Sequence, residues 1–275
     1  MSVLISGSSG YVGKNLALFL REAFDVIGVD SIPDNASTDV VIDLRRQDSF
    51  SQLDRYEYSY LVHTAWDQRS KNIYENSVLL SKNLLAHAVK KKIKGIIFLS
   101  SSFSSTTANI QYTRSKLEIE NLLFDIEIPF VIFRPDMIYA SDEPKILQQI
   151  SMMKMGLAIC IGKGMSLRSP THILDLIYVI EEILATDKFT NRVYEIGSPI
   201  PCSQKAFLDT ISKANKLNPL VIHIPKWLAS SLFRFSGIVD PEQAKTIDID
   251  RVADLTRFRE DFSITPRAFS QDSVS

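Results

Sequence analysis

The chain has 275 residues, 45% hydrophobic and 23% charged, with a net charge of −1, the profile of a globular protein with one large domain or one domain plus an appendage. No basic excess or polybasic block marks it for nucleic acid or a membrane surface. Its two cysteines, Cys160 and Cys202, lack CxxC spacing and a nearby histidine cluster; this argues against a disulfide framework or a metal site and for a reducing compartment.

Taken in chain order, "SVLIS" (2–6) runs straight into a glycine loop. That leaves no room for a signal peptide, so a cytoplasmic protein is expected. Apolar, β-branched runs predict strands at 2–6, 25–30, 39–44, 60–65, 95–101 and 130–135. Most are apolar on both faces, as in a buried parallel sheet. Between them, 11–22, 46–54, 72–92 and 111–124 carry helical spacing. The alternation predicts an α/β fold, a doubly wound parallel sheet with helices on both faces. "KKKIK" (90–94) reads as a solvated helix end that also suits the helix dipole.

After about residue 140 the rhythm loosens. "ILQQISMMKMGLAICIGKGMSLRSP" reads as a helix, a short strand and a glycine turn, "ILDLIYVIEEILATD" as a helix, and "RVYEIGS" as a late strand. Met152, Met153 and Met155 read as packing residues. "IPKWLASSLFRFSGIV" (Ile224–Val239) reads as an amphipathic helix packing on the body. It is too short to span a membrane and carries Lys226 and Arg234.

Two features point to a dinucleotide. "GSSGYVG" places Gly7, Gly10 and Gly13 between the first strand and the first helix. Glycines there allow a tight turn, a close approach to a pyrophosphate and close helix–strand packing, and the helix start offers free N–H groups. Asp30 then ends the second strand, where a carboxylate accepts hydrogen bonds from ribose hydroxyls. Ser31 and Ile32 follow, with no basic residue to suit a 2′-phosphate, so NAD is favoured over NADP.

Several further motifs, in order, resemble the extended short-chain dehydrogenase/reductase family, in its nucleotide-sugar epimerase/dehydratase branch. "GSSGYVG", with Ser9, Tyr11 and Val12, is similar to the family's cofactor loop. "DLRR", with Asp43 and Leu44, resembles the adenine-contacting segment, and "HTAW", with His63, Thr64 and Ala65, resembles the motif lining the cofactor. His63 either lines that cleft or is simply packed. "ENSVLLSKNLLAHAVKKKIKGIIFLSS", with Asn76 and Asn83 in register, is similar to the family's helix and fifth strand. "FRPDMIYA", with Pro135, "RSPTHILDL" and "YEIGS" resemble its later signatures. The resemblance implies a Rossmann domain over 1–140. It also implies a small, discontinuous substrate domain over 141–275, with about 165–198 returning to the Rossmann body.

The resemblance also implies the chemistry. Tyr112 and Lys116, four residues apart, share one face of a helix. In the family such a pair works with a serine: Tyr as acid/base, Lys favouring the phenolate and holding the nicotinamide ribose, Ser holding the substrate oxygen. Ser101 best matches the serine position, and Ser102 is its rival and a candidate substrate contact. Arg168, four residues before His172, stands where family members place an arginine on the substrate's diphosphate; a solvated surface arginine is the alternative. His172 and Asp175 read as structural ties. The implied activity is that of an NAD-dependent nucleotide-sugar 4-epimerase or 4-keto reductase in surface-polysaccharide precursor synthesis. A dehydratase would need a carboxylate that "SSSFSS" lacks. The implied partners are a nucleotide-diphosphate sugar and a second copy of the chain, dimerised through 72–92 and 111–124. "SFSSTTANIQ" between serine and tyrosine is about half the family's usual length, so a silent NAD-binding module and a reductase of a non-nucleotide carbonyl compound remain alternatives.

Overall fold

A computed structural model describes residues 1–67, 70–106, 109–228, 246 and 248–274. Its first half alternates strand and helix. The elements are β1 (Ser2–Ser6), α1 (Tyr11–Leu20), β2 (Asp25–Asp30), β3 (Val40–Val41), β4 (Tyr60–His63), α2 (Ile73–Lys91), β5 (Gly95–Leu99), α3 (Gln111–Phe124) and β6 (Phe130–Pro135). The second half has β7 (Ile138–Tyr139), α4 (Pro144–Lys154), β8 (Leu157–Ile161), β9 (Leu167–Arg168), β10 (Thr171–His172), α5 (Ile173–Thr186), β11 (Arg192–Ile196), β12 (Cys202–Ser203), α6 (Gln204–Ala214) and β13 (Leu220–Ile224). A short helix, Thr256–Asp261, packs near the end.

Seven strands form one parallel sheet in the order β11-β6-β5-β4-β1-β2-β3. The order reverses between β1 and β4, which puts the switch point, and the crevice where such sheets bind ligands, at their carboxyl ends. Central strands are apolar on both faces because both are covered. One apolar cluster joins Val3, Ile5, Val62 and Ile97 to α1 and α5. The other joins Leu4, Leu61, Ile96 and Phe98 to α2 and α3. A third cluster, built from α4, β8 and α6 with Tyr139 and Val274, lies apart from the sheet.

Four predicted elements end earlier or change type. The strand expected over 39–44 is only Val40–Val41, at the sheet edge, because Asp43 turns the chain by pairing with Arg45. The helix expected over 46–54 is a 3₁₀ helix, Gln47–Gln52. Ser49 and Ser51 hydroxyls bond back to the carbonyls of Arg46 and Asp48, in competition with an α ladder. β4 stops at His63, opposite the end of β1, and β5 stops at Leu99. The amphipathic helix expected over 224–239 lies, from residue 229 onward, outside the described residues. Among the described residues, no helix is long and apolar enough to cross a membrane.

Candidate active site

The glycine loop connects β1 to α1 and has no space for side chains at two positions. Gly7 has φ +79°, and a Cβ on it would lie 2.7 Å from the Ala65 nitrogen and from the Thr64 hydroxyl. A Cβ on Gly13 would lie 2.1 Å from the Gly7 carbonyl oxygen. Thr64 braces the turn by donating to the Ser6 carbonyl at 2.6 Å. Ser9, Gly10, Tyr11 and Val12 lead into α1, whose start carries no side-chain cap. Asp30, at the end of β2, accepts from the Ser9 amide at 3.1 Å and the Ile32 amide at 3.1 Å. An uncapped helix start, a loop closed to Cβ atoms and a carboxylate against that loop fit the diphosphate and ribose diol of a dinucleotide.

Other predicted cofactor residues are placed as follows. Tyr11 donates its hydroxyl to Asp142 at 2.7 Å. Asp43 is paired with Arg45, which holds its carboxyl below the ordinary range. Leu44 is a core residue whose carbonyl accepts from Asn83 at 3.0 Å. Pro135 closes β6. His63 is fully buried, its ring held between the Ser6 and Ser81 hydroxyls at 2.8 Å each, and burial drops its pKa to about 3.

At the carboxyl ends of β5 and β6 lies the second half of the site. Tyr112, Lys116 and Glu120 fall at four-residue steps along α3. Lys116 is buried, donates to the Leu99 carbonyl at 2.7 Å, and lies 4.6 Å from the Trp66 ring centroid and 4.8 Å from that of Phe98. Burial depresses its pKa to about 7, opposed by the Glu120 carboxylate. Lys116 Nζ is 6.0 Å from the Tyr112 ring centroid. Burial raises the Tyr112 pKa, while the Ser101 hydroxyl and the Arg251 charge pull it down. Ser101 and Ser102 diverge: the Ser101 hydroxyl accepts from the Phe103 amide at 3.3 Å, and Ser102 donates to Asp136 at 3.1 Å.

The short turn between β5 and α3 is anchored from below. Glu120 receives two bonds from Arg134, at 3.0 and 2.5 Å, and one from Ser100. Arg134 also donates to Ser105, which donates to Glu195 on β11. On the outer side, Arg251 pairs with Asp136 at 2.9 Å, both nearly inaccessible. Arg168 pairs through its backbone with Arg251. It lines a cavity of about 50 Å³ with Met137, Gln149 and Cys202. Burial, then the Arg251 charge, lower its pKa to about 10. A second cavity, about 180 Å³, opens between Ser102, Arg134, Asp136, Glu195 and Arg251. His172 caps α5 and Asp175 holds Arg267, the tying roles expected of them.

Sequence reasoning missed Trp66, Glu120, Asp136 and Arg251. Glu120 had a signal, four residues after Lys116 on the same helix face. Trp66 and Asp136 sat inside quoted motifs without a role. Arg251, 83 positions after Arg168, had no local signal.

Residues 3–197 match the family described as NAD dependent epimerase/dehydratase family. No curated protein sequence matches the chain. Among solved structures, UDP-glucose 4-epimerase from Thermotoga maritima, with UDP-glucose, is similar over 100% of this chain and 96% of its own, with a TM-score of 0.83 at 15% identity. dTDP-glucose 4,6-dehydratase from Bacillus anthracis, in complex with NAD, is similar over 100% and 95%, with a TM-score of 0.79 at 15% identity. The enzyme WbmG of Bordetella bronchiseptica, with NAD and UDP, is similar over 99% and 92%, with a TM-score of 0.79 at 14% identity. With a family match spanning most of its length and a seven-stranded parallel sheet, the chain belongs to the NAD-dependent epimerase/dehydratase family of extended short-chain dehydrogenases/reductases.

Proposed function

We propose that this protein is an NAD-dependent nucleotide-sugar 4-epimerase or 4-keto reductase, serving surface-polysaccharide precursor synthesis. The observation that carries the reading is Tyr112 one helix turn before buried Lys116, which donates to the Leu99 carbonyl, with Ser101 just after β5, on the sheet edge that also bears the glycine loop. Gly7, Gly10 and Gly13 would admit the cofactor's diphosphate, with Asp30 on its ribose. NAD bound there supplies the acceptor and donor of the hydride exchanged at the sugar carbon. Ser101 orients the reacting oxygen, and Tyr112 takes its proton or returns it. Lys116 favours the phenolate and binds ribose hydroxyls, since an ammonium four residues along the helix lowers the cost of the negative charge. Ser101 is preferred to Ser102 because Ser102 is committed to Asp136. Arg168 suits a diphosphate, for which a guanidinium offers paired, charge-assisted bonds.

Elimination of water is disfavoured because the nearby carboxylates are engaged, Asp136 by Arg251 and Ser102, Glu120 by Arg134. The test is turnover of UDP- and dTDP-linked hexoses and 4-ketohexoses with NAD or NADH, read by product chromatography. Calorimetry with free UDP, dTDP, GDP and CDP accompanies it. If no sugar turns over and no nucleotide binds at millimolar concentration, the assignment fails, and the silent module or a small carbonyl substrate replaces it.

A further inference from the structure

Asp136 and Arg251 take no step in the chemistry above, yet both are buried, and Arg251 lies over Phe103, which meets Tyr112. Arg251 is locked in place by its backbone, which donates to the Leu167 carbonyl at 2.8 Å and accepts from the Ser169 amide at 3.0 Å. Its side chain is only 2% exposed. Nε donates to Asp136 at 2.9 Å, and the guanidinium carbon lies 4.0 Å from the Phe103 ring centroid. Phe103 in turn meets Tyr112 edge-on, with centroids 6.1 Å apart. Among the described residues, Arg251 Nη1 and Asp136 Oδ2 have no hydrogen-bond partner although both atoms are buried. A buried guanidinium with an unpaired N–H is destabilising. Its persistence here calls for a task that neutral packing would not perform.

We propose that Arg251, clamped by Asp136 and laid on Phe103, is a positioning residue that presents a second positive charge to Tyr112 across the Phe103 ring. The proposal rests on Tyr112 being the acid/base. Lys116 is a conditional cation: enclosed by Trp66 and Phe98, it titrates at about 7 in the cofactor-free protein. A guanidinium stays charged at every working pH. The groups around Tyr112 act in opposed directions. Ser101 and Arg251 favour the phenolate, and Asp136 disfavours it. Lys116 faces the ring from its own helix, with Glu120 behind it. His63, from β4, acts on Lys116's side and is held neutral by burial.

Opposite signs follow for the two partners. Arg251→Met keeps the stem and removes the charge, so the phenol should titrate higher, by roughly half a pH unit or more for a charge acting across one ring. Asp136→Asn keeps an acceptor for Nε and removes the opposing charge, so the phenol should titrate lower. Arg251→Lys should stay near wild type. The measurement is ultraviolet tyrosinate titration of the NAD-loaded full chain, with Tyr112→Phe in each background subtracted to isolate Tyr112. It needs no turnover. A protein that shows these shifts but converts no nucleotide sugar therefore keeps the Arg251 role and loses the substrate assignment. An unchanged Tyr112 midpoint in Arg251→Met, or shifts of one sign in both variants, overturns the proposal. Should Arg251→Met fail to fold, Asp136→Asn carries the test alone, and an unchanged or raised midpoint there overturns it.

Discussion

At the scale of single residues, two side chains carry the most direct consequences. The Asp30 carboxylate stands against the loop, accepting from the Ser9 amide. A 2′-phosphate would bring its own negative charge to that carboxylate, so NAD(H) should bind at least about ten-fold more tightly than NADP(H), a difference of about 1.4 kcal/mol. Asp30→Ala should narrow the gap, and fluorescence titration with NADH and NADPH reads it directly. Tyr112 is the second. Tyr112→Phe keeps the ring between Trp66 and Phe103 and deletes only the hydroxyl. Turnover should fall by about two or more orders of magnitude, a typical share for acid–base catalysis, with NAD affinity nearly unchanged. Normal turnover in that variant would remove Tyr112 from the chemistry.

At the scale of elements, the β1–α1 junction is the place where cofactor binding is expected to be decided. Gly13 lies where α1 crosses the loop, and a Cβ there would overlap the Gly7 carbonyl. Gly13→Ala is a favourable change for helix propensity in isolation. Here it must push α1 away from β1, so the protein should lose NAD affinity and melting temperature together. An alanine variant that binds NAD like the wild type would show that the junction yields more easily than its geometry implies. The turn between β5 and α3 is the other decisive element. Its short length is matched by fixed anchors: Ser100 and Arg134 on Glu120, Ser105 on Glu195, and Ser102 on Asp136.

At the scale of the whole molecule, burial makes stability depend on pH. The folded pKa of Lys116, about 7, lies below its unfolded value of 10.5. Between those values the unfolded chain binds more protons, so unfolding becomes harder as pH rises through that window. Above about pH 10 the raised pKa of Tyr112 acts with the opposite sign. Urea unfolding of the cofactor-free protein should therefore show stability climbing from about pH 7 towards 10, and Lys116→Met should flatten the climb. Equal slopes in both proteins would mean that Lys116 is not the titrating group. Assembly belongs to this scale too. α2 and α3 pack together and leave Leu79, Val89 and Phe124 exposed, while Leu123 is core. A symmetric dimer through this helix pair is expected, and light scattering at micromolar concentration should return twice the chain mass.

The sequence by itself determined the sheet, the loop and the helix that carries Tyr112 and Lys116, because each is written in neighbouring residues. Apolar β-branched runs declare buried parallel strands, glycines at the first turn declare a backbone that must come close, and a four-residue step declares one helix face. The end of β4 and the helical type of 47–52 were less legible, since ladder partners and serine back-bonding settle them. Only the tertiary structure decided that Ser102 bonds to Asp136, that His63 is sealed between two hydroxyls, and that Arg251 reaches Asp136 across 115 positions. Such pairings depend on where distant segments cross, and burial, which sets the charge on Lys116 and Tyr112, exists only once they have.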